Sequence, residues 1–100
     1  MVVKEKDSKI EETKWVRKKE YMTHLLDDEL VILDEESKVI HVLNKVGTEI
    51  YNLLDGKHSF EDIISYLIAH YEVDEETLRK DVATIIEKLE HLGIISELNK

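Results

Sequence analysis

Glu29-Leu30-Val31-Ile32-Leu33-Asp34-Glu35-Glu36-Ser37-Lys38-Val39-Ile40-His41-Val42-Leu43-Asn44-Lys45-Val46-Gly47-Thr48-Glu49-Ile50-Tyr51-Asn52-Leu53-Leu54-Asp55-Gly56 is the stretch that decides the fold. Residues 29–33 form a compact apolar run, and residues 38–43 form a second one rich in the β-branched Val39, Ile40 and Val42. Such side chains fit a pleated sheet. The polar Asp34-Glu35-Glu36-Ser37 between them reads as a four-residue loop, so the two runs predict an antiparallel hairpin. After Asn44 the period of apolar residues changes from 2 to 3.6. Val46, Ile50, Leu53 and Leu54 fall on one helical face, Asn44 is a good N-cap, and Asp55-Gly56 reads as a stop.

Reading outward from this stretch, Asp27-Asp28 signals a turn, and residues 18–26, with Tyr21, Met22, Leu25 and Leu26, read as a poorly alternating first strand. Downstream, Ser59 followed by Asp62 resembles a capping box and opens a second helix with Ile63, Ile64, Leu67, Ile68 and Tyr71 on its apolar side. Asp74 caps a third helix over residues 74–92, with Glu75 and Glu76 where the helix dipole favours acids. Leu78, Val82, Ile85, Ile86, Leu89 and Leu92 make its apolar stripe. Gly93 ends it, and Ile94-Ile95 either returns as a short strand or packs down. The expected architecture is therefore α+β: a small antiparallel three-stranded sheet followed by three helices, resembling a winged helix.

The 100 residues suffice for one core and one domain. Residues 1–14 read as a flexible charged arm and residues 15–97 as the domain. With no cysteine there is no disulfide framework and no thiolate chemistry. No apolar run approaches the length of a membrane span, and the first residues lack a signal-like core, so the expected location is cytoplasmic. The net charge of −9 is unevenly placed. Residues 1–20 hold 7 basic and 5 acidic side chains, while residues 21–100 hold 7 and 18. The domain therefore carries an acidic field, which repels nucleic acid and anionic lipid.

Little in the sequence supports catalysis. No serine lies in a Gly-x-Ser-x-Gly elbow, and Ser37 and Ser59 are explained as turn and cap residues. The five histidines show no metal-ligand spacing, and Glu87/His91 is the nearest approach to one, one helical turn apart. The 3 glycines form no phosphate loop. The expectation is a non-enzyme with no cofactor and no metal. Nor do the helices suit DNA. The second has no Lys or Arg before Tyr71, and the third carries Arg79, Lys80 and Lys88 against six acids, too few cations for phosphate contacts.

A sheet this small must leave an edge unpaired, and residues 38–43 carry no Pro, no Gly and one charge at their start. An edge left pairable is suited to β-strand addition by a peptide, to cover by the first strand, or to a second copy. On this strand Val39, His41 and Leu43 share one face, and Ile40 and Val42 share the other. Which of them faces a cleft is open.

The ordered string from Val39 through Leu43-Asn44 to Leu53-Leu54-Asp55-Gly56 resembles the signature of the PqqD-like family. It continues with Phe60-Glu61-Asp62-Ile63-Ile64, then Asp81-Val82, Ile85-Ile86, Leu89 and Gly93-Ile94-Ile95. The resemblance covers residues 20–96. It implies a RiPP recognition element, a stand-alone peptide chaperone that holds the leader of a ribosomally synthesised precursor and presents it to a modifying enzyme, either a radical-SAM enzyme or a leader peptidase. In that family the leader adds along the third strand, in the cleft against the third helix. Carried over, the candidate peptide-binding residues are Lys38, Val39, Ile40, His41, Val42 and Leu43 on the strand, with Leu78, Val82, Ile85, Ile86 and Leu89 on the helix. The alternatives are a winged-helix DNA-binding regulator and a homodimerisation domain. The partners implied are the leader and its enzyme, with neither nucleic acid nor membrane.

Overall fold

The computed structural model describes residues 12–98, so most of the arm assigned to residues 1–14 lies outside the described residues. In chain order the elements are β1 (Lys14–Arg17), β2 (Met22–Leu26), β3 (Glu29–Asp34), β4 (Val39–Leu43), α1 (Lys45–Leu53), β5 (Asp55–Ser59), α2 (Phe60–His70), α3 (Glu75–His91) and β6 (Ile95–Glu97). Thr13 is buried and Lys14 opens β1, so ordered backbone begins within the last residues read as arm.

The expected sheet is present as β2-β3-β4, antiparallel throughout. A second three-stranded sheet, β5-β1-β6, joins segments far apart in sequence. The run 18–26 is not one strand. Only its second half, Met22–Leu26, is a strand; Lys18–Tyr21 is a non-strand link, and the segment before it, Lys14–Arg17, is the separate β1, which pairs with β5 and β6 instead of with β3. Arg17 holds this division in place: its Nη1 donates to Tyr51 O at 2.8 Å, and its guanidinium lies 5.0 Å from the Tyr51 ring centre. Asp55-Gly56 does end α1, but the chain then runs directly into β5, with Gly56 at φ 84. Asp-Gly-Lys-His-Ser has no apolar alternation. It is a strand because β1 lies alongside it.

The three helix starts follow local chemistry. Asn44 accepts from Gly47 N at 2.8 Å, Asp74 accepts from Thr77 N at 3.1 Å, and Ser59 and Asp62 complete a reciprocal capping box. The Ser59 N–H hydrogen bond to Asp62 holds that carboxyl below its usual pKa. At the far end of α3, Ile94 N donates to Leu89 O and Gly93 N to Glu90 O, both at 3.0 Å. With Gly93 at φ 79 this is a Schellman-type stop, which turns Ile94 back into the core.

The core is a single cluster. Ile32, Ile50, Leu54, Ile63, Leu67, Val82 and Ile94 have no exposed surface, and each such burial stabilises by about 1.5–3 kcal/mol. Trp15 from β1 joins them edge-on to Phe60 and donates its indole N–H to Glu90 Oε2 at 2.8 Å, tying the second sheet to α3. Arg79 binds α3 to α2 through Glu61, at 2.7 Å.

Candidate strand-edge groove

β4 ends its sheet. It pairs with β3 on one side and, among the described residues, with no strand on the other. The ladder sets its two faces. Leu30 lies opposite Leu43 and Ile32 opposite His41, and Leu30 and Ile32 are both buried, so Val39, His41 and Leu43 point toward the core side. Ile40 and Val42 point outward and are 63% and 57% exposed, a choice of faces the sequence alone left open.

The free edge overlooks a groove of about 380 Å³. One wall is the strand itself, Ile40 to Leu43. The floor turns at Asn44 and Gly47, and the opposite wall is α3, through Ile85, Lys88, Leu89 and Leu92. Local chemistry places these walls close together. The Asn44 cap lets α1 start with no intervening loop, and Thr48 Oγ1 donates back to Leu43 O at 3.3 Å. A Cβ on Gly47 would come within 3.2 Å of Asn44 Oδ1 and 3.3 Å of Leu43 Cβ, so glycine keeps this corner open. A second hollow of about 540 Å³ continues along the strand toward the β3–β4 turn, bounded by Leu33, Asp34, Glu35, Lys38, Val39 and Ile40. The two share Ile40, and together they follow β4 from end to end.

The candidate residues divide on this geometry. Ile40, His41, Val42, Leu43, Ile85 and Leu89 line the groove, and Lys38 and Val39 line its extension. Lys38 sits at φ 58 in the turn and is not part of β4. Leu78, Val82 and Ile86 are 5%, 0% and 3% exposed in the core and do not line the groove. On a helix, positions 78, 82, 86 and 89 form one stripe, while 85, 88 and 92 form the adjacent one. Asn44, Gly47, Lys88 and Leu92 complete the groove without having been singled out for it. Leu92 was legible as the one member of the stripe beyond Leu89, but Lys88 gave no apolar signal.

The lining is chemically simple. It holds aliphatic side chains, the main-chain N–H and C=O groups of the unpaired edge of β4, one amide, one imidazole and one cation, Lys88, with no carboxylate among its lining residues. In a domain this acidic, the groove is an apolar, slightly positive strip. No group of three or more His, Asp or Glu among the described residues is placed to hold a metal ion. No helix among them is long and apolar enough to cross a membrane.

What the fold and groove define is an α+β domain offering one strand edge and an apolar trough to an extended chain. The sequence matches the family model for coenzyme PQQ synthesis protein D (PqqD) over residues 29–95, and the chain belongs to the PqqD family. Among solved structures it resembles TbiB1 in complex with the TbiA(β) leader peptide, at 25% identity and a TM-score of 0.72, over 81% of this chain and 94% of that one. It also resembles lasso peptide synthetase B1 complexed with the leader peptide, at 25% identity and a TM-score of 0.73, over 83% and 98% of the respective chains. The heterocyclase TruD shares the fold at 20% identity and a TM-score of 0.60, over 86% of this chain and 12% of that one. Among curated proteins no sequence match is found.

Proposed function

We propose that this protein is a RiPP recognition element: it binds the leader segment of a ribosomally synthesised precursor peptide and presents it to a modifying enzyme. The leader adds as a fourth strand beside β4, so that main-chain hydrogen bonds supply affinity and alternate side chains supply specificity. One set of those side chains enters the trough against Ile85, Leu89 and Leu92, and Lys88 receives any acidic group among them. The observation that carries this reading is the unpaired β4 edge facing an apolar groove, in a fold shared with two leader-peptide complexes. Val39, Ile40, His41, Val42 and Leu43 provide the edge, with Lys38 at its start. Leu78, Val82 and Ile86 act from behind, by holding α3 at the right distance.

The protein brings no reaction of its own in this reading. The chemistry belongs to the partner, a radical-SAM enzyme or a leader peptidase working in the cytoplasm. Titration of a fluorescent leader, taken from a precursor encoded beside this chain, is expected to saturate with a Kd between nanomolar and low micromolar, about 8–12 kcal/mol. Failure of every neighbouring precursor to bind saturably removes the reading.

A further inference from the structure

An antiparallel sheet with one face on the core ordinarily turns a polar face to water. The β2-β3-β4 sheet does not. The ladder places Met22, Leu33 and Ile40 in one cross-strand row and His24, Val31 and Val42 in the next. These rows lie on the face opposite Leu30 and Ile32, with Leu26 beyond them near the β2–β3 turn. Met22, Leu26, Ile40 and Val42 are each more than half exposed, so the outer face is a contiguous apolar patch.

Its surroundings define what it accepts. Asp27, Asp28 and Glu29 stand at one end of the sheet and Asp34, Glu35 and Glu36 at the other. Lys19 reaches Asp34 and Glu36, at 3.8 and 3.1 Å, but no ion pair forms at Asp27, Asp28 or Glu29 among the described residues. A second copy of this chain fits poorly. Packed face to face in either strand direction, it sets an acidic turn against an acidic turn. A partner with an apolar centre and Lys or Arg at its margins fits on both counts. The patch is also continuous with the groove, because Ile40 and Val42 belong to both. A strand added to β4 extends the two rows, and its outward side chains become part of the same face.

We propose that the outer face of the β2-β3-β4 sheet is the docking surface for the modifying enzyme, through an apolar patch with a basic rim that touches this protein and the outward side of the bound leader together. This rests on the leader-binding reading, and the two are tested by separate measurements. Met22→Thr/Leu26→Thr changes the patch two strands away from β4 while keeping side chains that suit a strand, and circular dichroism checks its fold. The probes are the fluorescent leader and the purified modifying enzyme encoded beside this chain.

The double variant is expected to keep the leader Kd within twofold and to lose at least tenfold in affinity for the enzyme. Asp27→Lys/Asp28→Lys is expected to weaken the enzyme further as a charge effect that 0.5 M salt abolishes. Enzyme affinity unchanged in both variants overturns the proposal. So does sedimentation showing a wild-type dimer that Met22→Thr/Leu26→Thr converts to monomer, since the face then belongs to a second copy. Absence of leader binding by the wild type counts against the groove reading alone.

Discussion

Ile32 and His41 face one another across the β3–β4 ladder, the first wholly buried and the second at the mouth of the groove. That single pairing orients the strand. It turns Val39 and Leu43 inward with His41, leaves Ile40 and Val42 outward, and directs the unpaired main-chain groups of β4 toward α3.

Alternate N–H groups of β4 serve β3 and the free edge, so proline at neighbouring positions separates folding from binding. Of His41→Pro and Val42→Pro, one is expected to weaken leader binding at least tenfold with little change in Tm. The other is expected to lower Tm by breaking the hairpin. If both leave the affinity unchanged in folded protein, the peptide does not pair with this strand.

Val82 lies within α3 and Leu92 caps its C-terminal end, and the two do different work. Leu92 is 41% exposed in the groove wall, so Leu92→Ala is expected to change stability by less than about 0.5 kcal/mol while costing roughly 1–2 kcal/mol of leader affinity. Val82 is fully buried, and Val82→Ala is expected to cost about 2 kcal/mol of stability, with the Kd of the folded fraction unchanged. Denaturation curves and titrations on both variants check the pair; the reverse pattern would place the groove elsewhere.

The Ser59–Asp62 capping box gives stability a defined response to acid. Because the Ser59 N–H lowers the Asp62 pKa in the folded state, the bond stabilises above the carboxyl's unfolded pKa of about 3.9. It is lost as the pH falls through the lower, folded value. Asp62→Ala, which removes the titrating carboxyl and leaves the Ser59 N–H without it, is expected to cost about 1 kcal/mol at pH 7 and to flatten part of the Tm decline below pH 4. Thermal melts from pH 7 to 2 read both effects, and parallel wild-type and variant profiles exclude the coupling.

Gly93 tests the turn that returns the chain to the core. A Cβ there meets no atom within 4 Å, so the cost of Gly93→Ala is backbone strain at φ 79 and not crowding. It is expected to destabilise by about 1 kcal/mol, read from urea midpoints. An unchanged midpoint would show that the left-handed turn relaxes freely.

The sequence by itself determined what depends on near neighbours along the chain. The β3–β4 hairpin, the caps at Asn44, Ser59 and Asp74, and the stop at Gly93 each rest on groups a few residues apart, and all are found where the sequence placed them. The pairable edge of residues 38–43 was legible for the same reason, since what blunts an edge is written in its own side chains. Tertiary structure alone decided the rest. β5 and β1 are strands because each supplies the other's hydrogen bonds across some forty residues, and neither has a pattern that announces this. Which face of β4 looks inward depended on its register against the buried Leu30 and Ile32. The division of α3 into a core stripe at Leu78, Val82 and Ile86 and a groove stripe at Ile85, Lys88 and Leu92 depended on how the helix rotates against the sheet. A one-residue shift or a quarter turn keeps every local preference satisfied, and only close packing of the whole core selects among such arrangements.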